Sequence, residues 1–134
     1  MKAIAQEHLM GCGIACCASL LNIKYSKALS LFNKSNVSSK GFFCKDLVSA
    51  LSEKGLTCTY SKLNNKNKNI LAVPGTIVFI KKSKKYPAGH YLLKTRKGWM
   101  DPWINYPKIS KLKAGFRNKL PDRAEWIIYL QQLS

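Results

Sequence analysis

The spacing of apolar residues changes character along this chain, and that change does most to limit the fold. Up to Gly55 the apolar residues recur at helical intervals; beyond it they fall into short β-type runs. The stretch GCGIACCASLLN predicts a helix starting at or just after Cys12, with Ile14, Cys17, Ala18 and Leu21 on one face. Gly11 and Gly13 permit a tight backbone turn before it. Residues 25–32 predict a short second helix with Ala28, Leu29 and Phe32 facing inward. Residues 42–54 predict a third, with Phe43, Leu47, Ala50 and Leu51 as its stripe and Gly55 as its stop. After that, LTCTYSKL, TIVFI behind Pro74-Gly75, HYLLKT and WMD read as strands. The RKG turn joins the last two, and Pro102 ends them. Residues 105–122 predict irregular or weakly helical chain, and WIIYL predicts a closing strand or a short helix. Helices first and an antiparallel sheet after them give an α+β fold in two layers.

A chain of 134 residues, 46% of them hydrophobic, suits one domain with one core, residues 1–134. No apolar run is long enough to span a bilayer. LMGC looks like the segment ahead of a lipidated cysteine, but Glu7 and His8 interrupt the hydrophobicity a signal peptide needs, so none is expected. The five cysteines, an odd number in apolar or mixed segments, suit free thiols in a reducing, cytoplasmic compartment, with release from a larger secreted chain as the other possibility. Cys12, Cys16, Cys17 and Cys44 lack paired metal-ligand spacing, so no metal and no cofactor is expected. The charge is +17, from 23 basic and six acidic residues, with clusters at 81–85, 94–97 and 108–113. Such a field draws polyanions, or is simply a solvated lysine-rich surface.

The chemistry-bearing residues are few. A cysteine at a helix N-terminus faces unpaired N–H groups and the positive end of the helix dipole, which favour an anion. A thiolate nucleophile then needs an imidazole and a group to orient it. The two histidines are His8 and His90. His90 opens a strand, and Asp101 ends the returning one, so a hairpin brings them together. His8, four residues before Cys12, is the minor alternative as base and otherwise a cleft-rim residue. Gln6 lies just upstream of Cys12, where its side-chain N–H could join the Cys12 backbone N–H in cradling an oxyanion. Trp99 and Trp103 flank Asp101 as core or cleft wall that keeps water from the His–Asp pair, and Asp46 and Glu53 read as solvated helix charges.

QEHLMGCGIACCASLL, GHYLL and WMDP together resemble the bacteriocin-processing cysteine peptidases, the double-glycine leader peptidases of papain-like fold. The resemblance runs from Gln6 through Asp101 into the tail. It implies Cys12 as nucleophile, His90 as base, Asp101 as its orienting partner and Gln6 as oxyanion donor, acting on a glycine-rich peptide. The net charge motivates an alternative on the same fold: a basic toxin or effector acting as a ribonuclease, with His90 taking a 2′-hydroxyl proton, the lysine clusters holding phosphates, and an acidic immunity protein as partner.

Overall fold

The computed structural model describes residues 1–37 and 40–131. Three helices come first: α1 (Cys12–Leu21), α2 (Tyr25–Leu29) and α3 (Cys44–Glu53). Six strands follow: β1 (Cys58–Lys62), β2 (Ile77–Ile80), β3 (His90–Thr95), β4 (Gly98–Asp101), β5 (Gly115–Arg117) and β6 (Ala124–Leu130). They form one sheet in the order β1-β6-β2-β3-β4-β5, with every neighbouring pair antiparallel. This is the expected α+β arrangement, N-terminal helices packed on an antiparallel sheet. No helix among the described residues is long and apolar enough to cross a membrane.

Side-chain alternation along the strands sorts the core into two clusters. Ile77, Tyr91, Leu93, Met100 and Ile128 face the helices and pack with Ile14, Cys17, Leu47 and Leu51. Val78, Ile80, Leu92, Trp99 and Ile127 point the other way, where Tyr86 and Leu120 help to cover them. WIIYL forms a strand, one of its two expected states, and β6 inserts between β1 and β2. One expectation is corrected: the segment expected to be irregular or weakly helical contains β5, which pairs with β4 and forms a sheet edge.

Local chemistry explains the element ends. α3 starts one residue later than its apolar stripe suggests, because Phe43 is its extended N-cap and lies 74% exposed instead of in the core. Asp46, expected to be a solvated charge, accepts the Phe43 backbone N–H at 2.8 Å and satisfies one of the orphan donors of a helix start. Gly11 precedes α1 because of packing: a Cβ there would stand 2.1 Å from the Tyr25 hydroxyl. Gly89, at φ +72°, makes the left-handed turn into β3, and a Cβ would strike the Phe79 ring.

Candidate active site

The site lies where the start of α1 meets the start of β3. Cys12 is the first residue of α1, and its backbone N–H has no acceptor among the described residues. The thiol is half-buried and lines a cleft of about 860 Å³ together with His90. The other cysteines are also free but buried. Burial, followed by the nearby thiols, holds the Cys16 thiol well above its usual range, and burial raises Cys17, Cys44 and Cys58 as well. They stay neutral thiols and behave as small apolar groups.

His90 and Asp101 are 4% and 0% exposed, and the His90 Nε2–H donates to Asp101 Oδ1 at 2.7 Å. The strand register explains the contact. Leu93, Lys94 and Thr95 pair with Met100, Trp99 and Gly98. Continued, this register sets Asp101 across from Leu92, so His90 is one diagonal step away on the same face. The two are diagonal neighbours across the hairpin that the sequence suggested. With Nε2 committed to Asp101, Nδ1 is the ring nitrogen that remains to serve Cys12, and the two side chains line the same cleft.

The electrostatics follow from these contacts. Burial pushes the His90 ring toward neutrality, but the Asp101 hydrogen bond and the Cys12 thiol outweigh it and raise its pKa from 6.5 to about 9. Burial would raise the Asp101 carboxyl. The His90 bond and charge, the Arg117 bond and the Trp103 N–H overcome that and hold it below its usual value. The result is an imidazolium–carboxylate pair out of contact with bulk water.

Aromatic rings shield this pair. Tyr86 stacks on the His90 ring with centroids 5.3 Å apart and planes 11° apart. Tyr106 stacks on Tyr86, and Trp103 meets Tyr106 edge-on. Trp103 also fixes the carboxylate, its backbone N–H donating to Asp101 Oδ1 at 2.9 Å. Trp99, expected as core or cleft wall, packs in the core cluster on the sheet face away from the helices. Tyr86 carried no signal in the sequence, since it sits in the basic nine-residue loop, residues 81–89, between β2 and β3.

Gln6 and His8 both make contacts within the N-terminal segment that leads to Cys12 and the helices behind it. Gln6 is buried beside the chain leading to Cys12, and its backbone N–H reaches the Pro102 carbonyl at 3.2 Å, tying that chain to the residue after Asp101. Its side-chain Nε2 donates to the His8 and Leu9 carbonyls, both at 2.9 Å. Both amide hydrogens are thus turned into the loop, while Oε1 is buried with no partner among the described residues. His8 points to Tyr25, Nδ1 lying 3.0 Å from its hydroxyl. It is not among the residues that line the cleft: the loop uses it to seat Tyr25 beside Gly11.

The cleft walls are largely aromatic, with Phe42, Phe43, Tyr60, Phe79, Trp103, Tyr106 and Trp126 among the lining residues. Lys40, Lys45, Lys82 and Glu125 also line it. Among the described residues no cluster of three or more His, Cys, Asp or Glu side chains could hold a metal.

The model of the Peptidase C39 family matches residues 1–117. No curated protein matches the chain. Among solved structures, the peptidase domain of Streptococcus ComA, described as a bi-functional ABC transporter involved in a quorum sensing pathway, is 19% identical with a TM-score of 0.62. The match covers 95% of this chain and 95% of that one. The peptidase domain of Streptococcus mutans ComA is 20% identical with a TM-score of 0.58, over 98% of this chain and 100% of that one. At these identities the likeness is one of fold, and the fold is the papain-like one expected.

Proposed function

This chain belongs to the Peptidase C39 family and is a cysteine peptidase-like hydrolase acting on peptide, and on that premise we propose that Cys12, His90 and Asp101 are its catalytic triad. The observation that carries the assignment is the buried 2.7 Å His90–Asp101 bond, with the Cys12 thiol and the His90 ring lining the same cleft. Cys12 sulfur attacks the scissile carbonyl carbon, and its proton resides on His90. The imidazolium returns that proton to the leaving amine, and the C–N bond breaks to leave a thioester. Water, deprotonated by His90, then attacks the thioester and releases the acid and the free thiol. Asp101 keeps the ring oriented and supports its positive charge.

The oxyanion is held by the unpaired Cys12 N–H and, second, by Gln6. Gln6 reaches it by exchanging one of its two carbonyl acceptors for the developing negative charge, which is the stronger acceptor. A peptide with glycines at the scissile bond suits a floor crowded by Tyr86 and Trp103, and the aromatic walls suit apolar side chains upstream. The ribonuclease reading rests on net charge, and neither the family nor the fold adds to it.

The test is incubation of wild type and Cys12→Ala with a synthetic peptide carrying an internal Gly-Gly site, followed by mass spectrometry. Cleavage after the second glycine by wild type alone, abolished by iodoacetamide, supports the assignment. Cleavage that survives in Cys12→Ala refutes it.

A further inference from the structure

Asp101 accepts from two sides. Its Oδ1 takes the His90 and Trp103 hydrogens, and its Oδ2 takes the Arg117 Nε–H at 2.7 Å. Arg117 lies on β5 directly opposite Trp99 of β4, on the face that carries Asp101. It therefore approaches the carboxylate diagonally from one neighbouring strand, as His90 does from the other. Its Nη2 is anchored on the Ile104 carbonyl at 3.2 Å. Its side chain is 26% exposed and lies behind the carboxylate, outside the cleft wall.

We propose that Arg117 is a positioning residue for this site: its guanidinium locks the rotation of the Asp101 carboxylate and balances its charge, keeping the His90 imidazolium acidic enough to give up its proton to a leaving amine. The inference rests on the roles proposed for His90 and Asp101. Cys12, His90, Asp101 and Arg117 form a row of alternating charge when the thiol proton sits on the imidazole. The row is neutral overall, and without Arg117 a buried site would carry a net negative charge. An unopposed Asp101 would hold the imidazolium proton more tightly. Its carboxylate would also be free to turn Oδ1 away from the ring, since a single backbone N–H from Trp103 would be its remaining fixed donor. The charged and titratable groups facing Asp101 are His90 from β3, Arg117 from β5, Tyr86 from the loop before β3 and Cys16 from α1. Those facing His90 are Asp101 and Cys12, with the Tyr86 ring stacked upon it. Besides the His90 imidazolium itself, Arg117 is the one cation in this set.

The experiment is an NMR titration of ¹³C-histidine-labelled protein, in which the two ring signals are told apart by His8→Asn. Arg117→Met removes both charge and fork; Arg117→Lys keeps the charge. Thermal melts by circular dichroism confirm folding, and Arg117→Gln, which retains a donor for the Ile104 carbonyl, replaces Arg117→Met if that variant does not fold. The His90 midpoint is expected to move up by about half to one pH unit in the uncharged variant and to return to the wild-type value in Arg117→Lys. On the Gly-Gly peptide, kcat of the uncharged variant is expected to fall about tenfold with KM within about twofold. A folded uncharged variant with an unmoved midpoint, or Lys and Met variants shifting alike, overturns the inference and leaves Arg117 a packing residue. A wild-type His90 that titrates at the ordinary value, with Cys12 alkylated no faster than in His90→Ala, instead overturns the triad itself.

Discussion

Replacing Asp101 by asparagine removes the anion that holds the His90 proton. In the wild type the ring's pKa stands at about 9 against the usual 6.5, with burial opposing the rise. That rise is worth about 3 kcal/mol in favour of the imidazolium. Asparagine retains one oxygen for the Nε2–H, but it has no charge and turns an N–H donor toward the Arg117 guanidinium. Burial then prevails, and the ring is expected to titrate at or below 6.5. At pH 7.5 its protonated fraction drops from nearly complete to about one-tenth or less, and kcat/KM on a Gly-Gly peptide falls about 100-fold or more. Stability carries the same signature. A histidine whose pKa is higher folded than unfolded stabilises fully below pH 6.5, and that stabilisation is lost as pH rises through 9. Urea unfolding of the wild type between pH 6 and 9 should therefore show His90's contribution decline by up to about 3 kcal/mol, and Asp101→Asn should lack that decline. The assays are histidine NMR and urea denaturation at matched pH. A variant whose His90 still titrates near 9, or whose stability follows pH as the wild type's does, would refute the reasoning.

Other perturbations test the surroundings. Gly11→Ala should destabilise by about 1–3 kcal/mol, because the new methyl enters the space of the Tyr25 hydroxyl, and Tyr25→Phe in the same chain should recover part of the loss; urea melts of the single and double variants read this. Phe43→Ala should raise KM for the Gly-Gly peptide with kcat nearly unchanged and stability within about 0.5 kcal/mol, since the ring is exposed on the cleft wall; an equal fall in kcat would place it in the chemistry instead. Asp46→Ala should cost about 0.5–1 kcal/mol through the lost bond to the Phe43 N–H, with kcat/KM unaffected, as read by melts and peptide assays together.

Local pattern made much of this protein legible. Helical spacing and the Gly11–Gly13 turn placed the start of α1 at Cys12, and the RKG turn between two β-rich runs placed His90 and Asp101 on one hairpin. These features depend on residues close in sequence, whose spacing and turn chemistry act within a few positions. What escaped depends on contacts between distant segments. β6 pairs with β1 and β2, more than 40 residues earlier, and a strand's own residues do not say which neighbours will hydrogen-bond to it. GFR within a lysine-rich stretch is too short to announce β5, so Arg117 passed as one more surface cation until the sheet set it behind Asp101. The hydrogen bonds of Gln6 depend likewise on where the His8 and Leu9 carbonyls fall once the loop closes. The sequence by itself determined which groups could carry the chemistry. The tertiary structure alone decided their partners, because hydrogen bonds and burial are settled by distances that only packing creates.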